Sequence, residues 1–198
     1  MRGYAFIEVL VVIALIGILL LIWGGSSLRA AERQRDFDSF RRDIVYALER
    51  CRWKAMNERS YAGAVVEKVN GSYVANFYLD GNRNGIRLTD IQTGIDASFN
   101  RGYALSKEQG DIAAGILQDE PIPEIPPKRG VLDASGDPVK FGRSDIISFS
   151  PNGDSSSGTL YLSCRSQHQM FALVLYGATA RLTVWKYSNH QWQMVGDQ

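Results

Sequence analysis

An apolar run close to the start of the sequence constrains the fold more than any other feature. Between Tyr4 and Trp23 the only charged residue is Glu8. At about 1.5 Å per residue, a helix over this run spans roughly 30 Å, the thickness of the hydrocarbon core of a bilayer. An acid in such a span costs a few kcal/mol unless it has a partner, so Glu8 marks a functional position. The run therefore predicts a membrane-spanning helix with one acid that needs a counter-charge.

Two simpler interpretations fit this run less well. A cleaved secretory signal should have a basic stretch before the run and small residues at a cleavage site after it. Here only Arg2 precedes the run, and Trp23-Gly24-Gly25-Ser26 is a poor cleavage site. A plain signal anchor is the other alternative, but it leaves Glu8 without a role.

The order of residues before Glu8 matches a known processing signal. Gly3-Tyr4-Ala5-Phe6-Ile7-Glu8 resembles the type III signal of type IV pilins and type II secretion pseudopilins. The resemblance implies that a prepilin peptidase cuts after Gly3 and methylates the new amino terminus at Tyr4. It also implies that Glu8, the fifth mature residue, pairs with the protonated amino terminus of a neighbouring subunit. The sequence has Tyr4 and Ala5 where the family usually has phenylalanine and threonine.

A second helical pattern follows the apolar run. Steps of three and four residues place one apolar stripe along a helix, made of Phe37, Phe40, Ile44, Leu48, Cys51 and Ala55. The opposite face carries the charged residues Arg35, Asp36, Arg42, Asp43, Glu49, Arg50 and Lys54, which favours a solvated face over a functional basic surface. The sequence thus divides into a leader at 1–3, a transmembrane or filament-core helix at 4–23, an amphipathic helix at 24–58 and a sheet domain at 59–198.

The residues after this helix have the pattern of antiparallel strands. Asn70-Gly71 between two apolar runs is a type I′ hairpin signal, and more short runs alternate with turns toward the C-terminus. A helix packed on such a sheet is an α+β architecture. The segment "ISFSPNGDSSSGTLYLS" and the strands after it resemble the C-terminal half of the GspH/FimT family of minor pseudopilins and minor pilins. The matching positions are Phe149, Pro151, Gly153, Gly158 and Gly177.

Together the two resemblances imply a structural role and no enzymatic one. The implied fold is type IV pilin-like, with a long N-terminal helix, membrane-spanning in its first half, packed against a C-terminal antiparallel β-sheet domain. The implied function is a minor pseudopilin of type II secretion, anchored once in the inner membrane with a periplasmic domain. Other pilin or pseudopilin subunits, the prepilin peptidase and the inner-membrane assembly platform are the implied partners. A FimT-like minor pilin, acting in pilus assembly, adhesion or DNA uptake, is the alternative.

Charge gives little support to a nucleic-acid partner, since 22 Lys and Arg balance 21 Asp and Glu. Bases and aromatic residues do alternate near the C-terminus, at Arg165, Arg181, Trp185, Lys186, Tyr187 and Trp192, which permits stacking on single strands without demanding it. Catalytic patterns are missing from the sequence. His168 and His190 have no recognisable partner spacing, and Ser155-Ser156-Ser157-Gly158 lacks the Gly-x-Ser-x-Gly pattern of a nucleophile elbow.

One loop in the middle of the sequence has the spacing of calcium ligands. Asp80-Gly81-Asn82-Arg83-Asn84-Gly85 places oxygen side chains at positions 1, 3 and 5 and glycine at position 6, as in an EF-hand. The twelfth position is Ile91, and Asp90 falls one place early. The candidate ligands are Asp80, Asn82, Asn84, Ile86 and Asp90, with Asp96 as another acid able to close the site. The alternative is a Gly/Asn-rich connection between strands.

The sequence permits two states for the two cysteines, a disulfide or two reduced thiols. A helix-to-sheet disulfide between Cys51 and Cys164 is one prediction for an oxidising periplasm. Because Cys51 lies on the apolar stripe, two reduced cysteines in the core are the other. The segment 121–127 contains four prolines and is predicted to be extended, either as an ordered loop crossing the sheet or as a ligand for another subunit.

Overall fold

The computed structural model describes residues 3–107, 111–142 and 144–197, and for 3–5 and 20–28 it describes only the backbone. Its contacts separate the chain into two compact units, with the boundary between Ser39 and Phe40. The first helix, α1, has the bounds Gly3–Glu58 and therefore has residues in both units. The other helices and all strands belong to the second unit.

The predicted membrane-spanning helix is wrong. Among the described residues, no helix is both long enough and apolar enough to cross a bilayer. The predicted pilin-like fold required the first half of the long helix to span a membrane, so this fold prediction is wrong as well. The same finding corrects the single-pass inner-membrane localisation that was inferred from it.

Four strands form the first sheet of the second unit. They are β1 (Ala62–Val69), β2 (Ser72–Leu79), β3 (Ala97–Ala104) and β7 (Ile146–Phe149), in the order β3-β2-β1-β7 and antiparallel throughout. A short helix, α2 (Leu88–Thr93), lies between β2 and β3 in the chain. Asn70 and Gly71 connect β1 to β2 with φ of +50° and +82°. The predicted type I′ hairpin is confirmed, since that turn needs positive φ at both central residues.

Seven strands form the second sheet. They are β4 (Ser106–Lys107), β5 (Ile112–Ala114), β6 (Val139–Lys140), β8 (Gly158–Cys164), β9 (Gln169–Tyr176), β10 (Arg181–Ser188) and β11 (Gln191–Asp197). The order is β11-β10-β9-β8-β5-β4, and β6 pairs with β8. The central strands β8 and β9 are buried along most of their length. Such strands are typical of a sheet that is covered on both faces.

Within the second unit, the apolar stripe of α1 from Phe40 to Ala55 faces the two sheets. The stripe is buried as predicted, at Phe37 in the first unit and at Phe40, Ile44, Leu48, Cys51 and Ala55 in the second. Ile44 and Leu48 share a cavity of about 10 Å³ with Phe77 and Ile147 of the first sheet and Leu160 of the second. A volume of this size is about one water-sized probe, so α1 packs closely on both sheets.

An irregular segment, 116–132, covers the opposite face of the second sheet. Tyr161 belongs to this face because it alternates with Leu160 along β8. The segment and the strands form one apolar cluster, made of Ile116, Leu117, Ile122, Ile125, Leu132, Tyr161, Met170, Ala172 and Tyr187. Trp192 of β11 donates a hydrogen bond from Nε1 to the carbonyl oxygen of Pro123 at 2.7 Å. The proline-rich segment is thus an ordered loop across the sheet, one of its two predicted uses.

Candidate functional site

The apolar side chains of α1 in the first unit are exposed. Their exposed fractions lie between 49% and 69% at Phe6, Ile7, Val9, Leu10, Val11, Val12, Ile13, Leu15, Ile16, Ile18 and Leu19. Glu8 is exposed among them. Monomeric proteins rarely expose a continuous apolar surface of this kind, so it marks an interaction site. We call Phe6–Leu19, with Glu8, the apolar helix surface.

The predicted processing pair lies at the start of the same helix. The helical backbone begins at Gly3 and includes Tyr4. The side chain of Tyr4, like the leader residues at 1–2, lies outside the described residues. A cut after Gly3 would make Tyr4 the first residue of this helix, four residues before Glu8.

The loop after β2 is organised by the carboxylate of Asp80. This side chain is 4% exposed. Its Oδ1 accepts hydrogen bonds from the backbone N–H groups of Asn82 at 2.9 Å and Arg83 at 2.7 Å, and its Oδ2 accepts one from Gly85 at 2.8 Å. The loop thus turns around one buried acid. Asp80 supplies the acceptors that the backbone lacks there.

Two further acids complete the loop. Asp96 is 3% exposed, and its carboxylate accepts from the backbone N–H of Gly81 at 3.2 Å and of Arg87 at 3.1 Å. Asp90 Oδ2 accepts from the amide nitrogens of Asn84 at 2.9 Å and Asn82 at 3.1 Å. Hydrogen bonds from these two asparagines are the largest causes of the lowered pKa of Asp90. Each acid therefore has its own donors.

The predicted calcium ligands stay a prediction, and the structure describes the loop closed by hydrogen bonds. Asn82 and Asn84 turn their amide nitrogens toward Asp90, whereas a cation would need their oxygens. The Asp80 carboxylate is engaged with backbone N–H groups, and Ile86 is buried. Within residues 3–107, 111–142 and 144–197, no group of three acids, histidines or cysteines is placed to hold a metal ion. The donor set instead suits a loop closed by its own hydrogen bonds.

Both cysteines are reduced, so the disulfide alternative is not formed in this structure. Cys51 and Cys164 are buried, each with 0% exposure. Burial raises the pKa of the Cys51 thiol to about 12. The Cys164 thiol lies 3.9 Å from Oδ2 of Asp111 and 3.6 Å from Oγ of Ser166. Both sulfurs therefore serve as core groups.

Each of the two histidines lies close to an acidic side chain, and no spacing in the sequence indicates either pair. His190 Nδ1 lies 2.9 Å from Oε2 of Glu120, and His168 Nδ1 lies 3.8 Å from Oδ2 of Asp119. Tyr187 donates its hydroxyl to Oε1 of Glu120 at 3.0 Å. A cleft of about 330 Å³ opens here between the turns that carry the histidines. Because the acids lie far from the histidines in the chain, no local spacing could have predicted these pairs.

The basic and aromatic residues near the C-terminus are used within the fold. Arg181 Nε lies 3.1 Å from Oδ1 of Asp197, and its guanidinium stacks on Tyr176 at 5.1 Å. Lys186 lies over the ring of Phe171 at 5.9 Å. The indole of Trp192 is engaged with Pro123, as described above. These contacts leave few free rings for stacking on a nucleic acid.

Comparison of the chain with protein-family models, curated proteins and solved structures found no match. The functional assignment therefore depends on the residues themselves. Among the described residues, the apolar helix surface is a long series of large apolar side chains that are all exposed. Glu8 is the one charged side chain within it.

Proposed function

We propose that the chain is a structural subunit of a filament of the type II secretion pseudopilus kind, with neighbouring subunits covering its apolar helix surface. The observation that carries the proposal is the exposure of this surface, at 49% to 69% for each large apolar side chain. Covering a half-exposed side chain of this size contributes roughly 1 kcal/mol. Many such contributions along one helix would support an obligate assembly.

Glu8 favours a protein partner that supplies a positive charge. Once neighbouring helices cover the surface, an unpaired carboxylate within it would be strongly unfavourable. The processing signal Gly3-Tyr4-Ala5-Phe6-Ile7-Glu8 supplies the counter-charge, since a cut after Gly3 creates an amino terminus at Tyr4. The amino terminus of one subunit and Glu8 of its neighbour would then form a pair. That pair would fix the axial position of each subunit in the filament.

The FimT-like minor pilin role uses the same surface. An exposed apolar helix with one acid suits a type IV pilus as well as a pseudopilus. DNA binding receives less support, because Arg181, Lys186 and Trp192 are engaged within the fold. Salt-sensitive binding of DNA by the purified chain would favour the pilin role in DNA uptake.

Replacement of Glu8 tests the proposal. The Glu8→Ala chain should still be cleaved after Gly3, because the glycine is unchanged. Its incorporation into sheared filaments should fall about tenfold or more, since loss of one partner of a buried ion pair is worth roughly 3–5 kcal/mol. Mass spectrometry of the N-terminal peptide measures cleavage, and quantitative immunoblotting of the filament fraction measures incorporation.

Glu32→Ala is the matched control, because Glu32 is another exposed acid of α1 in the first unit. Its incorporation should equal that of the unchanged chain. The Glu8→Gln variant keeps the shape and removes the charge, so it should behave like Glu8→Ala. Normal incorporation of either Glu8 variant would refute the pairing role.

A further inference from the structure

A second unusual surface lies on α1 within the second unit. On the face opposite the buried stripe, Tyr46 is 67% exposed and Trp53 is 61% exposed. Arg42 and Arg50 are exposed on the same face. Steps of four, four and three residues along this series keep all four side chains on one side of the helix. We call Arg42, Tyr46, Arg50 and Trp53 the aromatic–arginine stripe.

The acids beside this stripe are already paired. Asp43 Oδ2 lies 3.2 Å from Nζ of Lys107, Glu49 Oε1 lies 4.0 Å from Nη1 of Arg52, and Glu58 Oε1 lies 3.4 Å from Nζ of Lys54. In the part of the chain that the structure describes, Arg42 and Arg50 form no ion pair. The stripe therefore presents two guanidinium groups without counter-charges and two exposed aromatic rings.

We propose that the aromatic–arginine stripe docks an acidic amphipathic helix of another protein. Trp, Tyr and Arg are the residue types most enriched where binding energy concentrates in protein interfaces. Arg42 and Arg50 are about 12 Å apart along the helix axis, which is just over two turns. A partner helix with acids two turns apart would meet both guanidiniums. An apolar residue between those acids would lie against Tyr46 and Trp53.

A second copy of this chain does not suit the stripe. Two copies joined through it would oppose guanidinium to guanidinium, because the stripe contains no acid of its own. All four residues of the stripe belong to the second unit, whereas the apolar helix surface belongs to the first unit. The docking proposal therefore stands or fails independently of the filament proposal.

Binding of a defined peptide by the full chain tests this inference. The probe is a synthetic amphipathic helix with glutamates two turns apart and leucines between them, and its counterpart has lysines in place of the glutamates. Isothermal titration calorimetry at low and high salt measures the binding of both peptides. The same measurement is made with a thymidine oligonucleotide and with anionic vesicles. We expect the acidic peptide alone to bind in the micromolar range, more weakly at high salt.

Four variants locate the binding surface. Trp53→Ala and Arg50→Glu should each weaken acidic-peptide binding by about tenfold or more. The controls are Val131→Ala and Arg101→Glu, which change an equally exposed apolar side chain and an exposed arginine elsewhere. Both controls should bind within about twofold of the unchanged chain. Urea denaturation should give the same midpoint for all four variants and the unchanged chain, because each altered side chain is exposed.

Several results would overturn the inference. One is the absence of acidic-peptide binding at about 1 mM. Another is equal binding of the acidic and basic peptides. Tighter binding of the oligonucleotide or of the vesicles than of the peptide would assign the stripe to a different class of partner. Equal weakening by the Trp53→Ala and Val131→Ala changes would show that binding lies elsewhere.

Discussion

At the scale of single residues, Asp80 has the largest predicted effect on the loop between β2 and α2. Its carboxylate accepts from three backbone N–H groups and is 4% exposed. Asp80→Ala removes all three hydrogen bonds. We expect the free energy of unfolding to fall by roughly 2–4 kcal/mol, since an unsatisfied buried donor is worth about 1–3 kcal/mol. Urea denaturation of the full chain measures the change.

Asp119→Ala is the control for this prediction, because the Asp119 side chain is 66% exposed and lies outside the loop. It should change the free energy of unfolding by less than about 0.5 kcal/mol. Calcium chloride provides a second comparison. A ligand that binds only the folded chain raises the urea midpoint. Such a rise with calcium in the unchanged chain would contradict a loop closed by hydrogen bonds alone and would restore the predicted cation site.

Because the pKa of the Cys51 thiol is raised, we expect the folded chain to lose stability in mild alkali. Burial raises its pKa from 9.0 to about 12, so above pH 9 the unfolded chain loses this proton while the folded chain keeps it. Stability from this thiol is complete below pH 9 and declines as the pH rises toward 12. Tyr73, Tyr161 and Tyr187 also have pKa values raised to about 12, but their unfolded value is 10.0. Between pH 9 and 10 these three tyrosines together contribute about as much as Cys51. The contribution of Cys51 is therefore the difference between the unchanged chain and a Cys51 variant.

From pH 9 to 10, Cys51 alone should lower the free energy of unfolding by about 1 kcal/mol. Urea denaturation at a series of pH values measures it. The Cys51→Ala chain should be less stable at every pH, because it leaves a cavity, but its stability should depend less on pH between 9 and 10. An unchanged pH dependence in Cys51→Ala would show that another group causes the loss.

Two glycines show which information the sequence contains at this scale and which it lacks. The resemblance to a family marks Gly158 and Gly177, but it gives no physical reason for a glycine at either position. A Cβ at Gly158 would lie 2.5 Å from the carbonyl oxygen of Lys140, and one at Gly177 would lie 2.8 Å from that of Ser155. For Gly158 the reason is a close approach of β6, a strand distant in the chain. No local pattern contains that information.

At the scale of elements, α1 in the second unit offers a matched pair of substitutions on opposite faces. Leu48 is 4% exposed and Tyr46 is 67% exposed. Leu48→Ala should lower the free energy of unfolding by roughly 2–5 kcal/mol, because it removes packing and leaves a cavity. Tyr46→Ala should change it by less than about 0.5 kcal/mol. Urea denaturation of both variants makes the comparison, and equal losses would contradict the assigned orientation of the helix.

Elements with a strong local pattern could be predicted from the sequence. The apolar stripe of α1 follows from helical spacing, and the β1–β2 hairpin follows from Asn70-Gly71. The strand order and the cluster under segment 116–132 join residues far apart in the chain, so they could not be predicted from a local pattern. The calcium site stays a prediction. The spacing in the sequence places oxygen-bearing side chains at the right intervals, but it does not contain the hydrogen bonds that Asn82 and Asn84 donate to Asp90 in the structure.

At the scale of the whole molecule, the two units carry different kinds of information. The apolar helix surface of the first unit would serve any filament built from similar helices. The second unit carries what is particular to this chain, including the aromatic–arginine stripe, the histidine pairs and the loop at Asp80. Under the proposed function, a pseudopilus and a type IV pilus would use the same apolar helix surface. We therefore expect partners of the second unit to decide between these two roles.

A secretion experiment separates the two roles. If the chain serves a type II secretion pseudopilus, exoproteins should accumulate in the periplasm of a strain that lacks it, because an incomplete filament cannot move them outward. Quantitative mass spectrometry of periplasm and culture supernatant measures this distribution. The unchanged gene should restore secretion, Glu32→Ala should restore it equally, and Glu8→Ala should not. An unchanged secretome with impaired twitching or DNA uptake would instead assign the chain to a type IV pilus, and restoration by Glu8→Ala would remove the pairing of Glu8 from either role.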